Sequence, residues 1–426
     1  MPKSQSYTHP LQIADYRAYV LARLCATLGQ NSLTIVIAWQ VYNIARETMS
    51  VKEATAQLGL IGLIQFLPLF LLTPITGWVA DHFDRRRVGA LSSLILTLCA
   101  TTLALTIYKG WISQPIIFAV AFFIGIARAF NGPAMSALTA RIVPPELLPR
   151  AIAISSLVWQ TSAIAGPALG GLLYAIKPWA PFALAVALFA VSILSLSLIA
   201  RFTMPLADKT RHPLRQMADG LIYVRSNKLV LGAITLDLVA VLLAGATALL
   251  PVYARDILHI GSSGLGQLAA APGIGAVICG LWLGARPIER NVGIKMLVAV
   301  AGFGMASMVF GLTAFMPLPL AHWIALGALF CCGATDMVSV FIRQALIQLH
   351  TPDEMRGRVS SVSQLTISGA NELGEAESGF VAALIGPVAT VVVGGIGAIL
   401  VTIVWSRIFP ALGRASSLRL ADKANK

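Results

Sequence analysis

The chain has 426 residues, of which 57% are hydrophobic and only 12% charged, with a mean hydropathy of +0.80. Soluble globular domains carry about 25% charged residues, so this composition excludes an ordinary soluble protein and points to a chain built from apolar spans. The formal charge of +13 does not indicate nucleic acid, because the basic residues follow a topological pattern.

The N-terminal stretch MPKSQSYTHPLQIADYR is polar and lacks the basic region, apolar core and small-residue cleavage site of a signal peptide. The first apolar run is therefore expected to stay as a membrane helix. A hydrocarbon core of about 30 Å needs about 20 apolar residues per helix. Runs of that kind predict twelve spans, near 18–44, 55–80, 88–108, 114–140, 150–175 and 178–200, then 229–254, 263–285, 293–314, 319–348, 358–383 and 386–408. The longest polar interval, RFTMPLADKTRHPLRQMADGLIYVRSNK at 201–228, divides them six and six. The expected organisation is a cytoplasmic segment 1–17, an N-terminal six-helix bundle 18–200, a cytoplasmic linker 201–228, a C-terminal six-helix bundle 229–408 and a cytoplasmic tail 409–426. The fold class is an all-α membrane protein in two pseudo-symmetric bundles.

Orientation follows from the excess of Lys and Arg on cytoplasmic loops. With both termini in the cytoplasm, the outer loops hold only Arg46, Lys52, Lys109, Lys177 and Arg255 of the 31 basic residues, and the opposite orientation inverts the bias. Cys25, Cys99, Cys279, Cys331 and Cys332 lie in apolar segments without metal-type spacing and read as small core residues. No metal or other cofactor is implied.

A duplication supports the count of spans. GIARAFNGPAMSALTARIVPPELLPR at 125–150 and GATDMVSVFIRQALIQLHTPDEMRGR at 333–358 align with one offset of 208 residues, which pairs Gly125 with Gly333, Pro144 with Pro352, Glu146 with Glu354 and Arg150 with Arg358. Each copy joins a fourth or tenth span to the next through a short turn. A parallel repeat of this kind is one way that transporter folds are built.

The loop after the second span reads GWVADHFDRRRVG, 77–89. It resembles the loop signature of the major facilitator superfamily, with Gly77, Asp81, Arg85 and Arg86 in place, His82 where a base is usual and Asp84 where glycine is usual. ARAFNGPAMSAL (127–138), GPALGG (166–171), GLIYVRSNKLV (220–230), LLPVYARDIL (249–258) and PDEMRGRVSSV (352–362) are similar to the exporter branch that includes the enterobactin exporter and related drug and macrolide exporters. The resemblance implies alternating access, a conformational gate at Gly77, Asp81, Arg85 and Arg86, and a multi-pass protein of the bacterial inner membrane, read here as a monomer. GPALGG resembles part of the fifth-span motif of antiporters, although Leu157 stands where its earlier glycine belongs. Gly166, Gly170 and Gly171 would give a smooth helix face and Pro167 would remove a backbone hydrogen bond.

Ionisable groups at membrane depth are costly unless paired or wet, and so mark function. The repeat offset places Arg128 of the fourth span opposite Asp336 of the tenth, each ~20 Å from the expected cytoplasmic end at 1.5 Å per residue. An arginine and an aspartate there either bind a polar substrate or pair with each other. Asp237 lies ~13 Å deep in the seventh span and is a candidate proton carrier. Arg343 would neutralise a neighbour or meet head groups. NELGEAESG, 371–379, puts Glu372 and Glu375 on one helix face. Two carboxylates in low dielectric do not both ionise cheaply, so this pair is expected to hold a proton. Glu377 points elsewhere, and the wetted outer mouth is the alternative place for Glu375 and Glu377. Gln30 and Asn31 of the first span either contact substrate or join helices.

No G-x-x-x-x-G-K-[ST] and no H-E-x-x-H occurs, so ATP drive and metalloprotease chemistry have no support and the chain does not read as an enzyme. The leading expectation is a secondary active transporter, a proton-coupled exporter of a small amphipathic molecule such as a drug-like compound or siderophore. Its partners would be that substrate, protons and the lipid bilayer. An importer or uniporter of a siderophore, metal complex or lysolipid stays open, as does a receptor or assembly factor without transport.

Overall fold

The structure, a computed structural model, describes residues 8–200, 213–286, 288 and 290–413. Its elements are helices in chain order: α1 Ala14–Thr48, α2 Val51–His82, α3 Arg85–Tyr108, α4 Gln114–Ile142, α5 Leu148–Ile176, α6 Ala180–Leu198, α7 Pro213–Ser226, α8 Lys228–Leu243, α9 Leu250–Val252, α10 Gly261–Ala285, α11 Val292–Leu312, α12 Leu318–His350, α13 Asp353–Ile385, α14 Pro387–Ile408 and α15 Pro410–Gly413. Eleven segments among the described residues are long and apolar enough to cross a membrane. The twelfth span is α13, whose 33 residues reach about 50 Å at 1.5 Å per residue, and whose polar and acidic residues lower its hydropathy. The all-α, twelve-span architecture is thus the one that the apolar runs require.

The seventh span departs from the sequence reading. Expected as one helix over 229–254, it stops as α-helix at Leu243. It then runs through a 3-10 turn at Ala246–Leu249, the short α9 and a π-helical turn at Tyr253–Ile257. Gly245 weakens the helix at the break. Pro251 removes the bond to the carbonyl four residues earlier and crowds it. Both residues are visible in the sequence.

The chain forms two compact units. One comprises residues 1–40 with 64–210, the other residues 41–63 with 211–426. The first unit has a core of Tyr16, Tyr19, Leu138, Ile142, Leu196 and Ile199, with the Tyr16 hydroxyl donating to the Ala151 carbonyl at 2.9 Å. The second centres on Leu236, Met296, Val300, Ile342, Leu346 and Ala398. It also includes the end of α1 and the start of α2.

Each unit contains the same helix crossing, and the repeat glycines make it. A Cβ on Gly125 of α4 would lie 2.5 Å from the Gln65 carbonyl oxygen of α2. A Cβ on Gly333 of α12 would collide with the Pro272 carbonyl of α10. Neither crossing admits a side chain, because the two backbones touch there. The glycine pair found by offset therefore has one structural meaning in both halves.

Candidate functional site

The crossing in the second unit carries an ionisable cluster. α8 presents Asp237, and α12 presents Asp336, Ser339 and Arg343 at i, i+3 and i+7, which places these three on one helix face. Asp237 is 5% exposed and Arg343 2% exposed. The Arg343 guanidinium Nη1 pairs with Asp237 Oδ2, and the Ser339 hydroxyl approaches Asp237 Oδ1 at 3.5 Å. Arg343 Nε has no hydrogen-bond partner among the described residues.

Asp336 completes the cluster. It is half-buried and shares with Asp237 a cavity of about 10 Å³, room for one water molecule. Thr335 and Ser339 add hydroxyls to its wall, and Val241, Val300 and Phe303 make it apolar elsewhere. The charges of Asp237 and Arg343 both act on Asp336. Two carboxylates and one guanidinium carry a net charge of −1 when all are ionised, and none when one proton is bound. Burial penalises a net charge. Asp237 is held by the guanidinium, and both aspartates line the cavity.

The other carboxylates singled out in the sequence lie on α13. Glu372 is 8% exposed. Glu375 is half-buried, its Cβ 3.6 Å from where a Cβ on Gly62 of α2 would stand. Glu377 is half-buried with Oε2 unpaired among the described residues.

In the first unit Arg128 of α4 is half-buried and donates through Nη1 to the Gln65 side-chain oxygen at 3.1 Å. Gln30 and Asn31 of α1 are half-buried. A Cβ on Gly166 of α5 would stand 2.6 Å from the Asn31 Cβ, and one on Gly170 would stand 2.8 Å from the Ser32 hydroxyl. Pro167 and Gly171 are buried on the same helix. The stripe read from GPALGG is thus the seat of α1.

In the loop signature, the surroundings of Gly77 and the side chain of Asp81 lie outside what the structure describes. Arg85 is half-buried and Arg86 buried. Arg86 Nη2 bonds Asp84 Oδ2 at 2.8 Å, and Nη1 donates to the Ile199 carbonyl at the end of α6. Asp84 also caps α3, accepting from the Arg86 backbone N–H at 3.0 Å. The Arg86 hydrogen bond holds the Asp84 carboxyl below the usual carboxylate range, with the backbone bond adding to it. The aspartate in place of the usual glycine thus has a local structural reason.

A second polar cluster escaped the sequence reading. The π-helical turn of the seventh span presents Asp256, which accepts from the Tyr42 hydroxyl at 2.5 Å and from Arg46 at 3.2 and 3.3 Å. Arg255 donates to the Asn43 side-chain oxygen at 2.6 Å and its backbone carbonyl at 3.0 Å. The nearest signal was LLPVYARDIL, noticed only for its resemblance, since nothing in the spacing pairs residues more than 200 positions apart.

Twelve spans in two units that repeat one crossing, with two acids on a small cavity and a buried arginine paired to one of them, fit a polytopic membrane transporter. The chain belongs to the Major Facilitator Superfamily, whose sequence profile it matches over residues 19–375. It is 27% identical over 395 residues to the enterobactin exporter EntS of Citrobacter koseri, covering 92% of this chain and 90% of that one. It is 26% identical to EntS of Shigella dysenteriae with the same coverage. Among solved structures it resembles a bacterial homologue of the iron transporter ferroportin in an inward-facing state, with a TM-score of 0.69, 14% identity and coverage of 95% of this chain and 99% of the other. A POT family transporter in complex with 5-aminolevulinic acid gives a TM-score of 0.70 at 15% identity, covering 97% and 99%. These structural likenesses concern the fold alone.

Proposed function

We propose that this transporter is a proton-coupled exporter of a small amphipathic molecule of the siderophore class, working by alternating access. The observation that carries the proposal is the Asp237–Arg343–Asp336 cluster, whose charge count admits one exchangeable proton at membrane depth. Asp336 is its carrier, and Asp237 is the fixed counter-charge of Arg343. Glu372 and Glu375 are the second pair of candidates for proton coupling. Arg128, Gln30 and Asn31, with Asp336, are candidates for substrate contact. Gly77, Asp81, Arg85 and Arg86 form the proposed gate. The export direction and the siderophore class are supported by the named activity of the EntS relatives. In this reading the protein is a monomer in a bacterial inner membrane with both termini in the cytoplasm.

The test uses the whole protein reconstituted in liposomes with an imposed pH gradient and a panel headed by catecholate siderophores. Substrate movement should follow the gradient in the wild type and lose that drive in Asp336→Asn, with the variant still folded and abundant. Transport that ignores the gradient, or an Asp336→Asn variant that keeps its drive, would overturn the proton assignment. Movement of other compounds but no siderophore would overturn the substrate class alone.

A further inference from the structure

The linker between the halves contains a helix whose outward stripe has no partner among the described residues. α7 ends at Ser226, two residues before the seventh span begins at Lys228. Its inner side is fixed to the ends of two other spans. Gly220 abuts the Arg358 carbonyl, where a Cβ would stand 2.9 Å away. The Tyr223 hydroxyl donates to the His350 carbonyl at 2.7 Å, and Arg358 pairs with Asp219 at 3.0 Å. Val224 is 3% exposed. The helix is thus anchored where α8 and α13 begin and α12 ends.

Its other side is apolar and open. Leu221 is 59% exposed and Ile222 67% exposed. Ala218, Leu221, Ile222 and Arg225 follow one another at i, i+3, i+4 and i+7, one stripe of a helix. All four are exposed, and Lys228 at the start of the next helix is exposed too. Two large aliphatic side chains beside two cations, at the ends of three predicted spans, match an interfacial lipid surface with negative charge. Water is a poor partner for the aliphatic pair, and the neighbouring cations favour acidic lipid over neutral lipid.

We infer that α7 is an interfacial anchor for acidic phospholipid, with Leu221 and Ile222 in the acyl boundary and Arg225 and Lys228 on the lipid phosphates. The anchor would hold the linker to the membrane surface independently of what the protein carries or how it is driven. The experiment places a spin label at Ile222→Cys in the full chain with its five native cysteines replaced. The chain is reconstituted in phosphatidylcholine vesicles with and without phosphatidylglycerol. Collisions with oxygen should dominate those with a water-soluble nickel chelate, and more strongly with phosphatidylglycerol. Dominance of nickel would place the stripe in water, and protection from both reagents would mean that protein covers it. Either result overturns the proposal. Independently, Arg225→Gln and Arg225→Gln/Lys228→Gln should lower the phosphatidylglycerol retained through purification by roughly fivefold per charge removed. Unchanged retention would overturn the acidic-lipid assignment.

Discussion

The fourth and tenth spans make the same crossing with opposite chemistry. In the first unit, Gly125 lets α4 touch α2, and one turn further Arg128 meets the neutral amide of Gln65. In the second, Gly333 lets α12 touch α10, and the equivalent position is Asp336, beside a second aspartate and an arginine. The difference teaches that the duplication kept what backbone contact requires and freed what charge can vary. One half holds an arginine that donates to an amide oxygen. The other holds two carboxylates and a buried guanidinium.

The largest expected effect tests whether the second unit's cluster is truly ionic. Arg343→Ala strands a buried carboxylate, and breaking such a pair costs about 3–5 kcal/mol. Thermal unfolding in detergent should show it. Asp237→Asn with Arg343→Gln should recover most of the loss, because the neutral pair leaves only Asp336, which is half-buried at the cavity. Arg128→Ala in the first unit should cost less, about 1.5–3 kcal/mol, since Arg128 is half-buried where Arg343 is buried. Equal losses in the two units would break the comparison.

The next effect sharpens the shared half of that comparison. Gly333→Ala and Gly125→Ala should both destabilise, within the range of about 1–3 kcal/mol for overpacking. Gly333 should cost more, because its new methyl would meet three backbone atoms of Pro272. At Gly125 it would meet the Gln65 carbonyl and the more yielding Pro68 ring. Melting temperatures of the two variants decide the order, and the reverse order would mean that the crossings are not equivalent.

Much of this was legible in the sequence because it depends on distance along a helix. The twelve spans and the paired glycines follow from composition and one offset. Rotation about the helix axis was not legible. Arg343 pairs with Asp237 across 106 positions and two spans, and nothing in either span's spacing says which faces meet. The π-helical turn hid Asp256 for a related reason, since a π turn shifts the register that a 3.6-residue period assumes. The polar interval 201–228 looked like a plain linker. The stripe of α7 is short, and its exposed aliphatic pair has meaning only once Val224 and Gly220 are seen to face inward.

The smallest effect lies at the start of α3, where Arg86 belongs to the first unit's own packing. Asp84 caps α3 and holds the Arg86 side chain, which reaches the end of α6. Loss of such a cap costs about 1 kcal/mol, so Asp84→Ala should lower thermal stability by that amount at neutral pH. Because Arg86 holds the Asp84 carboxyl below the usual carboxylate range, its charge stabilises the folded state above an ordinary aspartate pKa of about 3.9. That contribution is lost as the pH falls through the lower, folded-state value. Asp84→Asn keeps an N-cap acceptor and removes the titration. The melting temperature of the wild type should therefore converge on that of Asp84→Asn as the solution is acidified, while Asp84→Ala stays below both at neutral pH. A wild-type advantage over Asp84→Asn that persists unchanged into acid would mean that the Asp84–Arg86 bond adds no charge-dependent stability. The aspartate would then serve the loop through its shape alone.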